Sequence, residues 1–82
     1  MTNSPAHPIR SLRQAGTVLS AWRAARRISQ KQLGEITGTA QSTISDIENG
    51  VVSVSLDVYL RLLEALGAEL SATDRLADRE PS

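Results

Sequence analysis

Cysteine is absent from these 82 residues, which excludes disulfide scaffolds, thiolate metal sites and cysteine nucleophiles. Histidine occurs once, as His7 in Pro5-Ala6-His7-Pro8, and a lone imidazole leaves nothing for a serine–histidine mechanism or a multi-histidine metal site. Phenylalanine is missing, and Trp22 and Tyr59 are the only aromatics, which argues against modules that stack single-stranded bases on rings. No apolar run approaches about eighteen residues, and Met1 to Pro8 has neither the charged start nor the apolar stretch of a signal peptide. The expectation is one small cytoplasmic domain with no catalytic residue, no metal, no cofactor and no membrane partner. Its hydrophobic share of 40% permits a core. A chain this short is nonetheless marginally stable, and such chains often gain stability by oligomerising.

A formal net charge of zero hides an uneven distribution. Up to residue 34 the charged side chains are Arg10, Arg13, Arg23, Arg26, Arg27 and Lys31, all basic. From residue 35 nine acidic residues face only Arg61, Arg75 and Arg79, so the halves carry +6 and −6. A basic half can present one face to a polyanion while the acidic half meets solvent or a basic partner. Mutual attraction of the two halves explains the same pattern, and charge alone leaves both readings open.

Hydrophobic spacing predicts a series of short helices. Residues 1–10 read as a flexible arm. From Ser11 to about Arg26, Leu12, Ala15, Leu19 and Trp22 recur at helical spacing, with Gly16 expected where another backbone packs closely. Ser29-Gln30-Lys31-Gln32 is a capping box that opens a helix through about Ile36, with Leu33 and Ile36 inward and Gly34 making room for a neighbour. Gly38 suits a left-handed turn, and Thr39 is expected to cap a helix from about Ala40 to Glu48, with Ile44 and Ile47 inward. After a loop over Val51 to Ser55, Ser55 caps a helix from Leu56 to Leu66 whose buried stripe is Leu56, Leu60, Leu63 and Leu66. Gly67 ends it, and residues 68–73 alternate apolar and polar as a half-buried strand does. A lone strand needs a partner, so Ala68, Leu70 and Ala72 are expected to pair across a homodimer. Residues 74–82 read as a flexible tail, where Asp74 and Asp78 have no companion that suggests catalysis.

Two short helices joined by a tight glycine turn have the outline of a helix-turn-helix. Its spacing here is Gln30-x-x-Leu33-Gly34-x-x-x-Gly38-x-x-x-x-x-Ile44-x-x-x-Glu48. The outer face of the second helix carries Gln41, Ser42, Thr43, Ser45 and Asp46, short hydrogen-bonding groups of the kind that read base edges in a major groove. The bland alternative is the solvated face of a helical bundle. A face with a single charge and an Ala-Gln-Ser-Thr start favours base reading. Arg10, Arg13, Arg26, Arg27 and Lys31 are then the simplest phosphate contacts, although solvated surface suits Arg13 nearly as well.

Residues 28–50, Ile28 to Gly50, resemble the helix-turn-helix of the Xre/Cro-type phage repressors, above all in Gly38-Thr39, Gln41 and Glu48-Asn49-Gly50. The likeness runs through Gly16, Leu19, Trp22 and Arg23 and covers about residues 12–67. It implies an all-α, lambda-repressor-like bundle of four to five helices over 11–67 that binds a double-stranded DNA operator as a dimer. By position, Gln41 and Ser42 would read bases with Ser45 or Asp46 at the edge of reach. Gln30 would touch phosphate and brace Gln41, Arg23 and Thr39 would join the phosphate contacts, and Arg23 would pair with Glu48. Arg27 stands where the family often has glycine, and Ala40 and Ser42 where larger polar residues are common, which leaves the operator sequence open. The segment from Leu66 to Thr73 resembles the exchanged strand of HipB-type antitoxins. That likeness implies an autorepressor holding a HipA-type kinase toxin inactive; a stand-alone phage or chromosomal repressor is the alternative. An antitoxin that binds only its toxin would have no use for Gln30 and Gln41.

Overall fold

The computed structural model describes residues 8–72, so the expected tail, most of the expected arm and Thr73 of the expected strand lie outside the described residues. Four helices follow one another: α1 (Leu12–Ala25), α2 (Gln30–Thr37), α3 (Gln41–Glu48) and α4 (Leu56–Ala65). Three begin on serines whose hydroxyls accept an otherwise unpaired amide: Ser11 from Gln14 (3.1 Å), Ser29 from Gln32 (3.0 Å) and Ser55 from Val58 (3.2 Å). Gln32 returns the bond to the Ser29 amide (2.8 Å) and completes the capping box. Thr39 does not cap α3. Ala40 holds that position without a side-chain bond, and the Thr39 hydroxyl instead meets that of Thr37 (3.0 Å).

The core is Ala15, Leu19, Leu33, Ile44, Ile47, Tyr59, Leu62, Leu63 and Leu66, drawn from all four helices, with Trp22 and Ile28 packed partly buried against it. Several expected core positions point elsewhere. In α4, Leu56 and Leu60 are 61% and 40% exposed, and Tyr59 and Leu62 are buried in their place. Both sets obey helical spacing, and they differ by a rotation about the helix axis. The inward rotation is possible because the Tyr59 hydroxyl donates to the Ala15 carbonyl (2.7 Å), which satisfies the polar tip of a buried ring. Burial pushes the ionisation of that phenol up to about 12. In α2, Ile36 is 60% exposed, because Thr37 takes the inward position and its hydroxyl donates to the Leu33 carbonyl (2.8 Å). Leu12 is exposed as well. Residues 68–72 form no strand, since no second strand among the described residues can accept their backbone bonds. Among those residues no helix is long and apolar enough to cross a membrane.

Gly16 sets the distance between α1 and α3: a Cβ there would overlap the carbonyl oxygens of Ile47 and Glu48. The corner between α1 and α2 is less comfortable. Helices α1, α3 and α4 end in the same two-bond motif, Ile28 N to Arg23 O with Arg27 N to Ala24 O, Val51 N to Asp46 O with Gly50 N to Ile47 O, and Ala68 N to Leu63 O with Gly67 N to Glu64 O. The residue after the cap must be left-handed. Gly50 (φ 68°) and Gly67 (φ 73°) fill that place in α3 and α4, whereas α1 uses Arg27 at φ 57°. A left-handed L-residue carries about 1–2 kcal/mol of strain, of which glycine's extra chain entropy returns roughly 0.5–1. Arg27→Gly should therefore raise stability by about 0.5–1 kcal/mol, read as a higher Tm in thermal melts. A lower Tm would show that the Arg27 side chain contributes more to the fold than its backbone strain removes.

Candidate nucleic-acid interface

Glu48 closes α3 at its C-terminal end, where the helix dipole disfavours a carboxylate. Two side chains compensate. Arg23 meets it with two parallel bonds, Nε to Oε2 at 2.7 Å and a terminal guanidinium nitrogen to Oε1 at 2.9 Å. Gln30 Nε2 donates to Oε1 at 3.0 Å. The second terminal nitrogen of Arg23 donates to the Ile28 carbonyl at 2.9 Å. The side chains are 19% and 6% exposed, so the pair is largely removed from water. Its hydrogen bonds hold the guanidinium proton more tightly than usual, with desolvation pulling the other way. One network thus ties the end of α1, the start of α2 and the end of α3.

This network changes the sequence-derived roles. Gln30 braces Glu48 rather than Gln41, because the carboxylate lies between α1 and α2 within reach of its amide. Arg23 is turned inward. Arg26 is also engaged: its Nε donates to the Leu66 carbonyl (2.9 Å) and its guanidinium lies 4.9 Å from the Trp22 ring centroid, so it fastens the end of α4 to α1. Arg10, Arg13, Arg27 and Lys31 are exposed and form no ion pair among the described residues. Charge attraction between the two halves is confined there to Arg23 and Glu48, since the other ion pair, Arg61 to Asp57 (2.8 Å), lies within the acidic half.

On α3, Ile44 and Ile47 are buried and Gln41, Ser42, Thr43 and Asp46 are exposed on the other side. Ser45 is half-buried and sits at the margin of that face. Gly38 (φ 73°) turns the chain between the helices, and Gly34 lies so close to the turn that a Cβ would overlap the Thr39 carbonyl. The result is a short, rigid helix start bearing an amide and two hydroxyls, with Lys31 exposed at the start of the neighbouring helix. Such groups can hydrogen-bond base edges while cations at the margin neutralise phosphates. Sequence reasoning missed the bond from Arg26, itself exposed, to the Leu66 carbonyl; its place at the end of α1, four residues after Trp22, is the only local hint.

A helix-turn-helix family model matches residues 19–72, and the chain belongs to this family of Xre-type DNA-binding regulators. Over 57 residues it is 39% identical to a candidate antitoxin, HigA2, of Mycobacterium tuberculosis. That match covers 68% of this chain and 56% of the relative, so the chain spans little more than half of that protein's length. Among solved structures it is similar to the restriction-modification controller protein C.AhdI of Aeromonas hydrophila, at 34% identity and TM-score 0.68 over 71% of this chain and 88% of that one. It also superposes on HipB in an O2 20-mer complex, with TM-score 0.77 and 24% identity over 87% and 99% of the two chains. At that identity the likeness shows the fold alone.

Removing one partner of a mostly buried ion pair strands the other, an effect of about 3–5 kcal/mol. Glu48→Gln should therefore melt well below the parent, by about 3 kcal/mol, while Arg23→Met combined with Glu48→Leu should recover much of that loss. Single variants within about 0.5 kcal/mol of the parent, the range of neutral surface changes, would contradict the role given to this pair.

Proposed function

We infer that this protein is a sequence-specific repressor that binds a double-stranded DNA operator as a homodimer and acts as the antitoxin of a toxin–antitoxin module in the cytoplasm. The carrying observation is the polar start of α3: Gln41, Ser42, Thr43 and Asp46 are exposed together on a helix whose opposite face is buried and whose end is fixed by Arg23 and Glu48. Gln41 and Ser42 read bases, with Thr43, Ser45 and Asp46 at the edge of the contact. Lys31 and Arg27 contact phosphate, and Gln30, Arg23, Arg26 and Thr39 hold the flanking backbone in place. The strained Arg27 supports this division, because a cation kept where glycine would be easier suggests a use for its charge. No residue has a catalytic role in this reading, and no metal or cofactor is needed.

The antitoxin part draws support from the likeness to HigA2, named as an antitoxin, and from a further superposition on a HipA–HipB–O2–O3 complex at TM-score 0.76. A HipA-type kinase toxin is the narrower form of the proposal. The similarity to a restriction-modification controller favours a second reading, a stand-alone regulator without a toxin. Stable complex formation with a kinase encoded beside this chain separates the two.

The test of base reading is a pair of variants measured on a selected duplex and on random duplex. Gln41→Ala should weaken the selected site by about 1–3 kcal/mol and blur one base position, leaving random duplex nearly unchanged. Lys31→Ala should weaken both alike and reduce the salt slope by about one. Equal losses for Gln41→Ala on both duplexes would remove it from the base-reading set.

A further inference from the structure

The end of α3 carries Asn49 followed by Gly50, a pair with chemistry of its own. Asparagine is a thermolabile residue, because its side-chain amide can be lost. In that reaction the backbone nitrogen of the next residue gives up its proton and attacks the asparagine Cγ. The bond from Cγ to the side-chain nitrogen breaks, ammonia leaves, and a succinimide ring joins the two residues. Water then opens the ring at either carbonyl. The product is an aspartyl residue, or an isoaspartyl residue whose main chain runs through the former side chain. The balance is amide plus water to acid plus ammonia, with no oxidation or reduction. Glycine is the permissive following residue, since it lacks the Cβ that crowds the attacking nitrogen.

Burial does not protect this pair, for Asn49 is exposed. Its backbone does. Asn49 has φ −89° and ψ −2°, so the Gly50 nitrogen is turned toward the Asn49 nitrogen and away from the Cβ arm that it must reach. The Gly50 N–H, whose proton has to leave, donates to the Ile47 carbonyl at 3.0 Å. The Val51 N–H donates to the Asp46 carbonyl at 3.1 Å and holds the far side of the same turn. Gly50 is left-handed (φ 68°) and lies so close to α1 that a Cβ would be 2.9 Å from the Arg13 Cα. Ring closure therefore needs ψ of Asn49 to rotate, which breaks these bonds and lifts Gly50 from α1.

We propose that Asn49-Gly50 is a deamidation site that the native end of α3 keeps unreactive and that opening of this end activates. The change runs one way. An isoaspartyl linkage adds a backbone carbon between Asn49 and Gly50, so the turn can no longer present both amides to Ile47 and Asp46. The aspartyl product places a further carboxylate beside Glu48 at the negative end of the helix dipole. Each opening that reacts before it closes thus removes a molecule from the native population, as chemical modification of an opened state does. Neither the reaction nor its block requires DNA or a second chain.

The measurement is the rate of deamidation in the full-length protein at mildly alkaline pH across a denaturant series, read by intact mass and peptide mapping. Mapping separates Asn49 from Asn3, the only other asparagine. Without denaturant, Asn49 should convert at least about tenfold more slowly than in the unfolded chain, a ratio that reports how rarely the α3 end opens. Glu48→Gln, with α3 fastened less well, should convert faster than the parent under native conditions. Gly50→Ala should slow conversion in the unfolded chain, where only the added Cβ matters. The isoaspartyl fraction, separated by its extra charge, should melt below the parent. Native conversion as fast as that of the unfolded chain would overturn the protection, and an unfolded chain that keeps its Asn49 amide would overturn the site. A folded Glu48→Gln variant that converts no faster than the parent would overturn the coupling to the α3 end. Should that variant not fold, the denaturant series on the parent decides: a rate that stays flat while helical circular dichroism is lost counts against the proposal.

Discussion

The carboxylate of Glu48 is the point on which the arrangement depends. A glutamate at the end of a helix opposes the dipole, and this one is almost wholly shielded from water. It is tolerable only because Arg23 and Gln30 reach it from two other helices. The same carboxylate thereby fixes how α3 sits against α1 and α2. Gly16 works toward the same end, since α1 and the end of α3 touch backbone to backbone there. The polar start of α3 is presented on a short helix whose other end is fastened twice, by packing and by charge.

The arginines divide into two kinds. Arg23 and Arg26 are structural, one on Glu48 and the other on the Leu66 carbonyl and the Trp22 ring. Arg10, Arg13, Arg27 and Lys31 keep their charge at the surface. The asymmetry seen in the sequence is therefore only partly absorbed by the fold. What is left over is a cationic surface of the kind that counterion release from DNA rewards.

Local signals were readable from the sequence wherever the physics is local. The serine cap at Ser55, the capping box at Ser29 and Gln32, and the left-handed turn at Gly38 depend on residues within one helical turn, and all lie at the expected positions. The close approach at Gly16 was legible because glycine inside a helix is otherwise unfavourable. The rotation of α4 was not legible. Leu56 with Leu60 and Tyr59 with Leu62 satisfy the same period, and the choice was made by the Ala15 carbonyl, 44 residues away, accepting the Tyr59 hydroxyl. Thr39 as a cap failed by one residue, since Ala40 supplies the extended backbone before α3. Alternation over 68–72 suggested a strand, but a strand is a property of two segments, and the second is not among the described residues. For the interface, the exposed side chains of α3 could be named from periodicity, whereas the fastening of Arg26 to the Leu66 carbonyl depended on contacts across the fold.

The central claim is that the start of α3 reads DNA sequence within a dimer. Selection of bound duplexes from a random library, followed by sequencing, tests it most directly. The account predicts enrichment of two inverted half-sites with centres about one helical turn apart, roughly 34 Å. Duplexes that bind in proportion to salt alone, with no enriched motif, would contradict it.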